Sequence, residues 1–203
     1  MLPVKIRGAS VEPRHAEARF GSYLCSILKT SLELALSQRL TLDIFVSHPI
    51  CDAARNLAAV WGRNMTYPCQ ILYLPQNANS THAAAYLRDE YNRLRLELEA
   101  ISGRQVGEAD LRESIVVFNE NRRWIRELYR LKREKPWLVS ADEAYILLAA
   151  GGMIPREEHN ELLQAVLPQI EARLAHPQDR LRVVFEGGFC EQPPLDLLRT
   201  ISQ

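Results

Sequence analysis

Two hydrophobic regimes follow one another along the chain: short apolar runs bounded by turn residues, and long stretches with helical spacing. Residues 42–46 (Leu-Asp-Ile-Phe-Val) form a brief run rich in β-branched and aromatic side chains, which predicts a buried strand. Pro49 cannot donate to a sheet ladder and biases His48 away from helix, so the strand ends there. Asp52 is a good N-cap, and Ala54, Leu57, Ala58 and Trp61 then fall at i, i+3, i+4 and i+7 of a helix. Residues 2–8 predict an earlier short strand, and residues 69–74 a third, ending in the polar loop 75–80. A helix over 16–37, with Tyr23, Leu24, Ile27, Leu28, Leu32 and Leu36 as its apolar stripe, fills the gap between the first two strands.

From residue 83 to 176 the strand signal disappears. Leu87, Tyr91, Leu94, Leu98 and Ile101 repeat at heptad spacing until Gly103 stops the helix. Leu111, Ile115, Phe118, Ile125 and Tyr129 continue the pattern in a second long helix, with Arg122 in the seam where an apolar residue is expected. A cation in a seam needs either a buried carboxylate or an anionic ligand. Ser140-Ala141-Asp142-Glu143 is a capping box that opens a helix to Ala150, closed by Gly151-Gly152. Pro155 starts the last long helix, with Leu163, Val166, Leu167, Ile170 and Leu174 inside and Pro168 expected to kink it. Residues 181–186 then read as a strand, 187–192 as a turn, and Pro193-Pro194 as the opening of a helix carrying Leu195, Leu198 and Ile201. The pattern as a whole predicts an α/β fold: a parallel-sheet lobe over 1–82, a helical section over 83–178, and the start of a second α/β lobe over 179–203.

Composition narrows the partners. Lys+Arg and Asp+Glu both number 25, 47% of the 203 residues are hydrophobic, and no apolar run approaches the length of a membrane span. Nothing in this balance points to nucleic acid or an anionic membrane. The four cysteines, Cys25, Cys51, Cys69 and Cys190, are scattered, without the dense pattern of a disulfide scaffold or a Cys-x-x-Cys motif. A reducing cytoplasm is the expected compartment.

Candidate chemistry gathers at the carboxyl ends of the predicted strands, where open α/β sheets bind ligands. Cys51 falls at the turn from strand to helix, where backbone N–H groups and the helix dipole favour an anion. It reads either as a small buried hydrophobe or as a functional thiolate. His48, Gln76 and Asn77 share that edge, and Gly187 and Gly188 mark a place where backbone can approach a ligand closely. Cys25, inside its predicted helix, reads as a core filler. Cys69, at the opposite edge, reads as structural.

Several stretches together resemble the subunits of 2-hydroxyacyl-CoA dehydratases and ATP-dependent benzoyl-CoA reductases. They are Glu12-Pro13-Arg14-His15-Ala16-Glu17-Ala18 leading to Tyr23-Leu24-Cys25-Ser26, then His48-Pro49-Ile50-Cys51-Asp52-Ala53-Ala54-Arg55-Asn56-Leu57, and Leu74-Pro75-Gln76-Asn77. Asn119-Glu120-Asn121-Arg122-Arg123, Ser140-Ala141-Asp142-Glu143-Ala144-Tyr145 and Phe189-Cys190-Glu191-Gln192-Pro193-Pro194 complete the set, the last looking most like the B-type reductase subunit.

The resemblance implies two Rossmann-like (flavodoxin-like) lobes joined by a helical section, with a 4Fe–4S cluster held by cysteine thiolates. Cys25 and Cys51 match the first two ligand positions and are expected to approach one another, and Cys190 is the candidate third. It further implies a similar cluster-bearing partner subunit, an ATP-dependent activator that injects low-potential electrons, ferredoxin as their indirect source, and an acyl-CoA substrate. In the reductases benzoyl-CoA becomes a cyclic dienoyl-CoA; in the dehydratases one recycled electron removes water through a ketyl radical. His48 and Asn77 are then expected to act on the thioester carbonyl, with Gln76, Gly187, Gly188 and Arg122 as substrate contacts. Against the family's length the chain looks like an internal piece, and a non-catalytic, partner-binding module is the alternative from another class. By itself the piece is expected not to turn over substrate.

Overall fold

A computed structural model describes residues 1–179, 181–184 and 193–201. The chain divides into two compact units, one of residues 6–106 and one of residues 1–5 with 107–203.

The unit 6–106 carries α1 (Arg14–Glu17), α2 (Ser26–Leu36), β1 (Phe45–Ser47), α3 (Asp52–Asn64), β2 (Cys69–Ile71) and α4 (Ala83–Ser102). Its two strands pair in parallel, Phe45 with Cys69, Val46 with Gln70 and Ser47 with Ile71, and α3 makes the crossover between them. The α3 stripe behaves as its spacing predicts: Ala54, Leu57, Ala58 and Trp61 are all buried. Trp61 is fully enclosed, stacks on Phe45 with ring centroids 4.0 Å apart, and donates its indole N–H to the Tyr67 hydroxyl at 3.1 Å. Ala16, Phe20, Leu32 and Ala35 complete this core. Each large apolar side chain buried there contributes about 1.5–3 kcal/mol against leaving it exposed.

Three expectations for this unit change. The predicted helix over 16–37 is broken into α1 and α2, because the chain turns through 18–25. Lys29 Nζ then ties the turn down, reaching Ser22 O and Glu17 Oε1 at 2.8 Å each. Residues 2–8 form no strand; Lys5, which belongs with the other unit, gives its N–H to Gly152 O at 2.8 Å instead of to a ladder. Of the expected α/β architecture, the described residues show a two-stranded parallel sheet in a chiefly helical chain.

The second unit carries α5 (Glu108–Glu134), a 3-10 turn at Pro136–Leu138, α6 (Ala141–Ala150), α7 (Arg156–Glu171) and α8 (Leu195–Ile201). The α6 capping box forms as read: Ser140 Oγ accepts the Glu143 N–H, and Glu143 Oε2 accepts the Ser140 N–H. The Ser140 hydroxyl and the Arg199 guanidinium hold the Asp142 carboxyl down at about 2. Leu128, Leu131, Leu138, Val139, Leu163, Leu167 and Ile170 make the core. α7 runs through Pro168 to Glu171 and stops before Leu174, which is therefore fully exposed rather than inside.

The face that α5 buries is not the one the heptad pattern selects. Asn121, Leu128 and Leu131 are buried, and of the heptad stripe only Ile125 packs partly buried against this core, whereas Leu111, Ile115, Phe118 and Tyr129 are exposed. Arg122, on the exposed face, is not in a buried seam; it donates to Asn119 Oδ1 at 2.7 Å along the same helix. Residues 181–184 show no strand, and 185–192, with Gly187, Gly188 and Cys190, lie outside the described residues.

Candidate functional site

Two helices of the unit 6–106 begin on a cysteine. Pro49 ends the extended segment after β1, and the Ile50 N–H folds back onto His48 O at 2.9 Å. Cys51 then takes an extended conformation (φ −152°, ψ 170°) and caps α3, its Sγ accepting the Ala54 N–H at 3.4 Å. The thiol thus fills the cap position expected of Asp52, which moves into the first turn. Cys25 occupies the N-cap position of α2 (φ −53°, ψ 137°) without a side-chain cap bond, its carbonyl accepting the Leu28 and Lys29 N–H groups at 3.1 and 3.2 Å. Both thiols are exposed, so Cys25 is no core filler. The helix break at 18–25 is what moves Cys25 from mid-helix to a helix start, and Gly21-Ser22 is the breaker signal in the sequence that marks it.

Cys69 contrasts with both. Its side chain is half-buried against α3, its S–H donates to Ala58 O at 3.4 Å, and burial pushes its thiol up. A thiol held protonated and engaged in a hydrogen bond is a poor nucleophile and a poor metal ligand.

The parallel register brings the ends of β1 and β2 to one edge. There the His48 ring lies with Nδ1 2.9 Å from Leu72 O, and the Leu72 N–H donates to Ser47 O at 2.8 Å. A carbonyl accepts, so Nδ1 carries the proton and Nε2 of the neutral ring is an acceptor. Stabilising an anionic oxygen from Nε2 therefore requires the doubly protonated ring. Asn77 is exposed beyond β2; its Oδ1 accepts the Asn79 N–H at 3.1 Å in an Asx turn, which leaves the amide Nδ2 as its donor. Gln76 is exposed beside it. Two residues that the sequence reading passed over fasten this edge to α4. Glu90 Oε2 accepts the Tyr73 N–H at 3.0 Å, and Arg93 donates to Ile71 O at 2.6 Å while paired with Glu90 at 2.9 Å. The Arg93 guanidinium, with the Tyr73 N–H, holds the Glu90 carboxyl below its usual range. Their i, i+3 spacing was the available signal.

The structure therefore places Cys51, His48, Gln76 and Asn77 in the segments that follow the two parallel strands, and Cys25 at the start of α2 in the same unit. Arg122 belongs to the other unit. As donors, two exposed thiols at helix starts suit a soft metal or an iron–sulfur cluster. Among the described residues no group of three or more His, Cys, Asp or Glu side chains converges to hold a metal ion. No helix among those residues is long and apolar enough to cross a membrane.

The family model described as 2-hydroxyglutaryl-CoA dehydratase, D-component, matches residues 1–203. The chain is 38% identical to the C-type subunit of benzoyl-CoA reductase from Thauera aromatica, over all of this chain and 53% of that one. It is 27% identical to the beta subunit of lactoyl-CoA dehydratase from Anaerotignum propionicum, over all of this chain and 54% of the relative. With the beta subunit of (R)-2-hydroxyglutaryl-CoA dehydratase from Acidaminococcus fermentans the identity is 25%, over 95% of this chain and 52% of that one. The matching reductase relative is thus of the C type, where residues 189–194 look like the B type. The chain spans about half the length of the curated relatives it matches. A match along every residue, with relatives that are all subunits of acyl-CoA reductases and dehydratases, shows that the chain belongs to the 2-hydroxyglutaryl-CoA dehydratase D-component family.

Proposed function

We propose that this chain is the cluster-bearing part of a subunit of an aromatic acyl-CoA reductase of the benzoyl-CoA type, working in the cytoplasm. The observation that carries the reading is a likeness of Cys25 and Cys51: both are exposed and both stand at a helix start, while Cys69 is half-buried with its thiol engaged. Identity of 38% to a benzoyl-CoA reductase subunit favours this substrate class. In this reading the β1–α3–β2 unit belongs to a Rossmann-like lobe, and Cys25 and Cys51 hold a 4Fe–4S cluster with Cys190 as third ligand. When bound, the cluster supplies low-potential electrons to the acyl-CoA.

The chain's own residues bind and orient the substrate. The Asn77 Nδ2–H₂ group donates to the thioester carbonyl oxygen, and the protonated His48 ring donates to it from Nε2 as that oxygen becomes anionic. Gln76 adds a second amide at the same edge. The electrons come from outside: a similar partner subunit, an ATP-dependent activator and, behind it, ferredoxin supply them. Dehydration of a 2-hydroxyacyl-CoA through a ketyl radical is the second reading, favoured by the three dehydratase beta subunits among the relatives.

The test is turnover by the full-length protein, purified anaerobically with its partner subunits and supplied with its activator and ATP. Conversion of benzoyl-CoA to a dienoyl-CoA supports the first reading. Dehydration of 2-hydroxyacyl-CoA without ring reduction selects the second, and turnover of neither, in an intact assembly, leaves a partner-binding module.

A further inference from the structure

A buried polar network crosses from α5 to α7 and ends on one arginine. Asn121 Nδ2 donates to His159 Nδ1 at 2.8 Å and to Asn160 Oδ1 at 2.7 Å. His159 Nε2–H donates to Leu147 O at 2.9 Å, and Asn160 Nδ2 to Val117 O at 3.2 Å. These three side chains are buried, and the acceptor left over, Asn121 Oδ1, takes the Arg156 Nη1–H at 3.0 Å. Arg156 is also held against the Phe118 ring, with Cζ 4.7 Å from the centroid. Its Nε is shut off from solvent and has no acceptor among the described residues.

Arg122 stands one turn beyond Phe118 on α5 and brings a second guanidinium, which donates to neutral Asn119. Among the described residues neither Arg122 nor Arg156 has a carboxylate within ion-pair distance. Burial first, and then the Arg122 charge, lower the Arg156 pKa against the opposing pull of Glu157. α7 itself begins at Arg156 after Pro155, with no side chain capping its first N–H groups. One arginine is thus locked in place, a second stands beside it, and their repulsion is relieved by an anion carrying two charges.

We propose that Arg122 and Arg156 form a binding site for a phosphate-ester dianion, with Asn121 as the residue that positions Arg156. The neighbouring arginines of α5 do not compete for this role. The open groove of about 490 Å³ lined by Arg123, Arg126, Arg130 and Arg133 contains Glu127, and Arg130 spends its donors on Glu127, Glu134 and Glu171. That groove is a solvated ion-pair lattice. In assigning the phosphate to the nucleotide end of coenzyme A, the inference rests on the acyl-CoA reading given above; free phosphate and nucleotides carry the same chemistry.

The test is binding of 3′,5′-ADP and of inorganic phosphate to the full-length protein in its assembled complex, followed by acyl-CoA kinetics. Arg122→Gln touches only an exposed side chain, so it leaves the network intact; Arg156→Lys keeps the charge and loses the fork. Each is expected to weaken 3′,5′-ADP roughly 10- to 100-fold, and to raise KM for acyl-CoA similarly while kcat and the KM for the acyl-pantetheine thioester, which lacks the nucleotide, stay unchanged. Tight 3′,5′-ADP binding with inorganic phosphate far weaker assigns the phosphate to the coenzyme; equal affinity for both assigns the site to free phosphate. Unchanged 3′,5′-ADP affinity in Arg122→Gln, or none in the natural protein, overturns the site. Complexes that bind 3′,5′-ADP through Arg122 but act on no acyl-CoA keep the site and overturn the acyl-CoA reading. Turnover that is indifferent to Arg122→Gln keeps the reading and overturns the site.

Discussion

Glu33 Oε2 accepts the Ala16 N–H at 2.8 Å, so a nearly buried carboxylate in α2 holds the first turn of α1 in place. Its other oxygen lies 2.7 Å from His15 Nδ1. Burial alone pushes the Glu33 carboxyl up, but the bonds from His15 and from the Ala16 N–H outweigh it and leave it below its ordinary 4.5. A carboxyl lowered in the folded state stabilises above its unfolded pKa, and that stability drains away as pH falls from 4.5 through the folded value. Glu33→Gln should cost about 1–3 kcal/mol at neutral pH in urea unfolding and flatten the acid limb below 4.5. An unchanged acid limb would contradict this assignment.

A second pH window opens earlier and belongs to the other unit. His159 is fully buried, and burial, followed by the Arg156 charge, lowers its pKa from 6.5 despite the Leu147 carbonyl bond. The unfolded chain therefore takes up a proton that the folded ring refuses. Stability of the α5–α7 unit should fall as pH drops below 6.5, before the Glu33 window is reached. Trp124 and Trp137 pack on that core and Trp61 on the other, so single-tryptophan variants followed by fluorescence separate the two windows. His159→Gln should remove the earlier one.

Gly151 lies where α6 ends and the His159 network passes. Its φ of −62° suits any residue, yet a Cβ there would stand 2.6 Å from His159 Cε1 and 2.8 Å from Nδ1. Gly151→Ala should destabilise by about 1–3 kcal/mol through displacement of the ring. Gly103 is the reverse case: nothing lies within 4 Å, but φ is +67°, and Gly103→Ala should cost about 1–2 kcal/mol from backbone strain alone. Melting curves of the two variants at pH above and below 6.5 tell the mechanisms apart, because only the first should also shift the His159 window.

The features legible in the sequence were those that one local rule decides. The Ser140–Glu143 box, the left-handed Gly103 stop and the Ala54, Leu57, Ala58, Trp61 stripe are each set by contacts within a few residues. Errors arose where packing overrode local pattern. On α5 the buried side is anchored by Asn121, a polar residue that gains its place from His159 and Asn160 thirty-eight and thirty-nine residues away, so a hydrophobic tally chose a face rotated from it. The turn before Cys25 is tied by the two bonds of Lys29, a contact across seven and twelve residues; overlooking it put an exposed thiol at a helix start in the interior. Cys51 was legible because Pro49 and the stripe after it fix the strand-to-helix turn, whereas its own role as cap, in place of Asp52, was not.

The two exposed thiols at helix starts are the centre of this account, and their loss tests it most directly. Iron and acid-labile sulfide should be measured in the full-length protein, purified anaerobically with its partner subunits, as the natural form and as Cys25→Ala, Cys51→Ala and Cys69→Ala. Cys25→Ala and Cys51→Ala should each lose the cluster's iron, sulfide and visible absorption while remaining folded, and Cys69→Ala should keep all three. Full cluster content in Cys51→Ala, or a cluster lost in Cys69→Ala alone, would contradict the account.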